Sequence, residues 1–327
     1  MPAARVRGTE KIEMNKFDIF TDSGCNVPDE ISEKYGICII PYIYTVNGVE
    51  KPCYEKGTPF KDLAKEFYAR LRAGTETKTS LISEARFEEY LIPSLQAGRD
   101  VILFTISAGV SGTNAQALAA KAELEKKFPA SKVYVFDTAN ASMGSCLIAL
   151  KVAELRDMGL TVEECASWVK ENTYKVNSYV YVDDLKYLRK GGRVSAVAAI
   201  AGTLLNIKPV LWANDDTPAR LAVFSKERGK KKALATILDA FDRNVENKET
   251  QNVAIAHADC AEDAEYLKQQ LETRGVKNII TDYYDLCTGA HAGPGTVALF
   301  FMGKDRRAKV AEPKKLLFKS RKPESAN

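Results

Sequence analysis

Two histidines occur in the 327 residues, and one of them, His291, stands in Gly289-Ala290-His291-Ala292-Gly293-Pro294-Gly295. The glycines permit positive φ and close approach, Pro294 stiffens the exit, and the segment is expected to be a loop. Thr296-Val297-Ala298-Leu299-Phe300-Phe301 follows directly and predicts a buried strand. An imidazole held at a strand mouth can meet an anion or a proton-accepting group. The same ring could instead tie the loop to its own backbone, and this segment alone leaves both readings open.

Ser107-Ala108-Gly109-Val110-Ser111-Gly112-Thr113 lies between the apolar run Val101–Ile106 and an alanine-rich stretch. Strand, small-residue turn and helix in that order make an anion site, because a helix N-terminus offers unpaired N–H groups and partial positive charge. Ser107, Ser111 and Thr113 add hydroxyls, although Ser111 could serve only as a helix cap. The segment is not Gly-x-Ser-x-Gly, so a nucleophile elbow has little behind it, and the chain has no nucleotide-binding glycine motif. Thr79-Ser80 follows a polar stretch and is expected on a loop. Lys186-Tyr187-Leu188-Arg189-Lys190-Gly191-Gly192-Arg193 combines four cations with a glycine pair, as a solvated turn or as a docking surface for an acidic partner.

The elements that would position these groups alternate. Strands are predicted at 17–21, 37–46, 101–106 and 133–136, with helices at 28–36, 60–72, 83–97, after Thr113 and from Met143. That alternation predicts a parallel α/β unit. Thr161-Val162-Glu163-Glu164 fits a capping box for a helix reaching about Lys175. Beyond it, strands at 179–182, 207–212, 221–224, 253–257, 279–283 and 297–301 mix with helices at 194–205, 229–245 and up to Arg274, giving a second, α+β unit. The expected division is an extension over 1–15, an α/β domain over 16–165, an α+β domain over 166–306 and a basic tail over 307–327.

Composition narrows the class. Apolar content of 45% and charged content of 28% suit a soluble globular chain. No apolar run is long enough for a membrane span, and no signal peptide is read at the start, so a cytoplasmic protein is expected. Seven scattered cysteines without a Cys-x-x-Cys pair, and two distant histidines, argue against a metal site. A net charge of +4 is too small to argue for nucleic acid.

Taken in order along the chain, these segments resemble the DegV family of bacterial fatty-acid-binding proteins over about residues 17 to 304. The matching residues are Thr21-Asp22-Ser23, Ile40-Pro41, Thr79-Ser80, Ser111-Gly112-Thr113, Asp184 through Ser195, Leu204 through Pro209, and Gly289 through Gly295. The resemblance implies the two-domain DegV-like (EDD) fold, with one long-chain fatty acid in an apolar tunnel between the domains as ligand and no cofactor. It implies that Thr79 and Ser111 hold the carboxylate, with His291 nearby and Ser80, Ser107, Gly112 and Thr113 as further pocket residues. It also implies a fatty acid kinase as partner, docking at Arg189, Lys190 and Arg193 and converting the carboxylate to an acyl phosphate, together with transient contact with a membrane surface. The protein itself would carry no catalytic residue.

The physics agrees with that implication. A carboxylate leaving water needs donors, and hydroxyls plus a helix N-terminus provide them. Some 15 methylenes would contribute on the order of 12 kcal/mol before association costs. Three positions depart from the family pattern: Gly24-Cys25 follows Asp22-Ser23 where a hydroxyl residue is usual, Leu81-Ile82-Ser83 replaces Gln-Pro-Ser, and Ala292 stands where threonine is common. Two other readings compete. One is a serine acyl hydrolase using Ser111 with His291 as base and Asp22 as orienting carboxylate; the other is a lipid-sensing regulatory module.

Overall fold

The computed structural model describes residues 17–193, 207–216 and 221–308. The expectations for 1–15, for the helix at 194–205 and for most of the basic tail lie outside those residues. The architecture is mixed α/β, with a parallel sheet in the N-terminal half and a separate sheet in the C-terminal half.

The first sheet has the order β2-β1-β6-β7 and is parallel throughout: β1 (Asp18–Asp22), β2 (Ile37–Ile40), β6 (Val101–Thr105) and β7 (Val133–Asp137). β6 is buried at all five positions, as its continuous apolar sequence predicts for a strand covered on both faces. Among the helices around it are α1 (Asp29–Tyr35), α3 (Glu84–Gln96), α4 (Thr113–Lys127) and α6 (Val162–Asn172). The expected caps form: Ser83 Oγ accepts from Arg86 N, and Thr161 and Glu164 make a reciprocal capping box. The boundary expected at 165/166 falls inside α6, and the chain passes to the second sheet after that helix, at β8 (Val176–Tyr181).

The second sheet runs β10-β9-β8-β13-β11-β12, with β9 (Ile207–Ala213), β10 (Leu221–Arg228), β11 (Asn252–His257), β12 (Asn278–Tyr283) and β13 (Val297–Met302). Only its β11–β12 pair is parallel. Its residues sort into two cores by the period of two. Tyr179, Tyr181, Val210, Leu299 and Phe301 join a core with α8 (Lys230–Asn244) and α9 (Ala261–Glu272). Their neighbours Val180, Leu211, Ala298 and Phe300 turn the other way, into the core shared with the first sheet.

Helix α5 (Met143–Asp157) fills the space between the sheets, packing on β1 and β6 of one and on β8, β11 and β13 of the other. This explains its sequence, which is apolar around most of its circumference rather than along one stripe. A third sheet, β4-β3-β5, is antiparallel: β3 (Ile43–Val46) and β4 (Val49–Pro52) close at the predicted Asn47-Gly48 turn, and β5 (Thr77–Ser80) returns after α2 (Phe60–Arg72).

Candidate functional site

A cavity of about 260 Å³ lies where the carboxyl ends of the parallel strands meet the inward face of the second sheet. Ligands commonly bind outside the carboxyl ends of parallel strands, where the connecting loops converge. The loop after β6 supplies Ile106, Ser107, Val110, Ser111 and Gly112, and the loop after β7 supplies Ala139, Asn140 and Ala141. The opposite wall is Ser178 and Val180 of β8 with Leu211, Ala213 and Phe300. These are the side chains that the alternation in the second sheet turns inward.

The polar end is built from two hydroxyl pairs. Thr79 Oγ1 lies 2.8 Å from His291 Nε2. Ser111 Oγ lies 3.2 Å from the Tyr42 hydroxyl, donates to Thr113 Oγ1 at 3.0 Å and accepts from Thr113 N at 3.3 Å. Ser111 therefore satisfies the first turn of α4 while also lining the cavity, and both roles weighed for it are present. Tyr42 in turn donates to Asp22 Oδ2 at 3.4 Å, and Asp22 accepts from Ile106 N at 2.8 Å and Cys25 N at 3.1 Å. Burial pushes the Asp22 carboxyl up to about 7.

His291 is kept neutral. Burial, with Arg193 nearby, lowers its pKa to about 4. Nδ1 is buried without a hydrogen-bond partner among the described residues, and it packs against Gly191, where a Cβ would sit 2.0 Å away. The tautomer that leaves no buried N–H unpaired puts the proton on Nε2, which then donates to Thr79. Thr79 keeps its own proton to donate elsewhere.

Three placements differ from expectation. Thr79-Ser80 is not in a loop but at the end of β5, paired with Tyr44 and Ile43 of β3. His291 is not in a loop either: it sits in the last turn of α10 (Leu286–Ala292), where Asp285 caps the helix by accepting from Thr288 N and the loop begins only at Gly293. Gly289 is tolerated inside α10 because the Tyr68 hydroxyl occupies the space its Cβ would fill, on its way to Tyr284 O at 2.8 Å. Arg193, expected at a docking surface, lines the cavity, with its guanidinium on Val110 O at 3.0 and 3.1 Å and on Gly191 O. Val110 precedes Ser111, so the carbonyl of that turn draws the cation inward. Arg189 and Lys190 are exposed on α7 (Lys186–Lys190).

The structure thus brings Thr79, Ser80, Ser107, Ser111, Gly112 and His291 to one cavity, with Thr113 buried just behind Ser111. The hydrolase arrangement is not assembled: Nε2 of His291 is taken by Thr79, and Asp22 bonds to Tyr42 rather than to the imidazole. Sequence reasoning passed over Tyr42, although it directly follows the singled-out Ile40-Pro41, and also Asn140 and Ser178, whose side chains bond to each other in the wall at 2.5 Å.

The DegV family, described as uncharacterised, has a model that matches residues 16–304. The chain belongs to the DegV family. A DegV domain-containing protein of Clostridium perfringens is 35% identical over 291 residues, covering 89% of this chain and 98% of that protein. Among solved structures, a DegV lipid binding protein from Thermotoga maritima superposes with a TM-score of 0.76 at 29% identity, covering 89% of this chain and 99% of the other. The Bacillus subtilis DegV, a fatty acid binding protein, superposes at 0.75 with 27% identity over 89% of this chain and all of its own 100%. No described helix is long and apolar enough to cross a membrane, and no cluster of three or more metal-ligating side chains occurs among the described residues.

Proposed function

We propose that this DegV protein binds one long-chain fatty acid in the cavity between its two sheets, with the carboxylate held by Thr79, Ser111 and His291. The observation that carries this reading is the make-up of the cavity: an apolar wall on the second sheet, ending at hydroxyls whose partners leave them protons to give. Ser111 has one proton, shared between Tyr42 and Thr113, and a carboxylate is a stronger acceptor than either. Thr79, receiving from Nε2 of His291, donates its own proton in the same direction. The guanidinium of Arg193 adds positive charge to that end of the cavity. The fatty acid and lipid binding of the Bacillus subtilis and Thermotoga maritima relatives supports the same ligand class.

The wider role follows from the position of the carboxylate at the polar end. The protein presents its ligand to a fatty acid kinase, which forms the acyl phosphate, and the exposed Arg189 and Lys190 on α7 contribute to docking. The chain divides into an α/β domain and an α+β domain with the lipid between them, and it works in the cytoplasm with transient contact with a membrane surface. Denaturing the protein purified from bacteria and analysing the released material by mass spectrometry should give about one equivalent of long-chain fatty acid. Protein that is repeatedly empty and takes up no added oleate would overturn the reading. Reconstitution with a fatty acid kinase, scored by acyl-phosphate formation, separates a carrier from a lipid sensor.

A further inference from the structure

The Thr79–His291 pair has two sides. One faces the cavity, and the other faces a surface pocket of about 500 Å³ enclosed by β5, the turn after α2, and α7. Thr79, His291 and Arg193 border both spaces, so a partition one side chain thick separates them.

The outer pocket is cationic. Arg72, Lys78, Lys186, Lys190 and Arg193 line it, against the single lining carboxylate of Glu76. Three of these cations are committed: Arg72 to Asp259 at 2.6 Å, Lys186 to Asp184 at 2.8 Å and Lys190 to Glu76 at 3.2 Å. Among the described residues Lys78 has no ion pair, and Arg193 donates only to the main-chain oxygens of Val110 and Gly191. Two positive charges therefore stand uncompensated, beside the hydroxyls of Thr75 and Thr77 on the same wall. A monoanion would leave one of them unmatched, whereas a compact dianion matches both. Guanidinium, ammonium and hydroxyl donors together suit tetrahedral phosphate oxygens.

We infer that the outer pocket is a second anion site, taking the dianionic phosphate of a phosphomonoester. This goes beyond the fatty-acid reading and does not depend on it. The phosphate could belong to a small soluble compound or to the head of a single-chain lipid whose tail lies in the inner cavity.

Calorimetric titration of the purified full chain with inorganic phosphate at pH 8, at fixed ionic strength, tests the site. Saturable one-to-one binding is expected, with acetate at the same ionic strength giving none, and Lys78→Gln should weaken it by about fivefold to tenfold. Lys78 bonds to none of the groups assigned to the carboxylate, so the fatty acid released by Lys78→Gln should equal that of the wild type. Dodecyl phosphate identifies the source. If it displaces the fatty acid and competes with inorganic phosphate, the site reads a lipid head; if the fatty acid stays and inorganic phosphate still binds, the site reads a soluble compound. Either pattern upholds the site. Phosphate binding that does not saturate, is matched by acetate, or is unchanged in Lys78→Gln overturns it. A wild-type protein without fatty acid that still binds phosphate would sink the fatty-acid reading alone.

Discussion

The two sheets border one cavity and contribute to it in opposite ways. The parallel sheet presents strand ends, and what arrives there is loop and helix start: Ser107, Ser111, Asn140 and the turn that holds Tyr42. The second sheet presents a face, and what arrives there is every other side chain of β8, β9 and β13: Val180, Leu211, Phe300. Strand ends carry main-chain donors and tolerate hydroxyls, whereas a strand face packed against a core demands apolar groups. Recognition of a charged head and accommodation of a long apolar tail are thereby given to two kinds of structure, each suited to its part.

The largest effect should come from breaking the face. Phe300 is 1% exposed and lines the cavity, so Phe300→Ala should lower unfolding free energy by about 3–5 kcal/mol in chemical denaturation. A loss under about 1 kcal/mol would mean that the second sheet does not depend on that wall. The strand ends should behave in the reverse manner. Ser111→Ala combined with Thr79→Val should weaken fatty-acid binding by about a hundredfold, from about 3 kcal/mol of lost charge-assisted hydrogen bonds, with little change in the denaturation midpoint. Unchanged affinity in that double variant would remove both residues from the carboxylate.

A smaller effect distinguishes the imidazole from its neighbours. The folded-state pKa of His291, about 4, lies below its ordinary value of 6.5. Between these values the unfolded chain holds a proton that the folded chain lacks, so this residue makes stability rise with pH across that window and adds nothing further above it. The advantage of wild type over His291→Gln should therefore grow from pH 5 to pH 7 by up to about 2 kcal/mol, read from denaturation midpoints at the two pH values. An advantage that is constant, or that shrinks, would show a histidine that titrates normally in the folded protein.

Much of this arrangement was legible before any coordinates. The run Val101–Ile106 announces a doubly covered strand, Ser83 and Thr161 announce helix starts, and the order of the hydroxyl and glycine segments announces the family. β5 was missed because Thr77-Lys78-Thr79-Ser80 has no apolar alternation, and its partner β3 lies more than thirty positions earlier in the chain. A polar edge strand is defined by its neighbour, not by its own sequence. α10 was missed because two glycines in seven residues read as a loop, while the signals for a helix were the cap at Asp285 and a close approach by Tyr68. Arg193 was placed outward because its chemistry fits a docking surface equally well; only the fold brings the Val110 carbonyl to it.

Helix α5 carries a consequence of its own. It is the common filling of both sheets, and its first residues are fastened from two sides: Ser142, just before it, donates to Asn26 Oδ1 at 2.9 Å, and the same Asn26 oxygen accepts from Asp285 N at 2.6 Å. Cutting the chain ahead of Met143 would strip the parallel sheet of one cover and leave an oily helix attached to the other half. Neither fragment would be a sensible unit for expression, and the whole chain should melt in one step. A gene fusion or split-reporter design on this scaffold should therefore place its break elsewhere, at an exposed hairpin such as Asn47-Gly48.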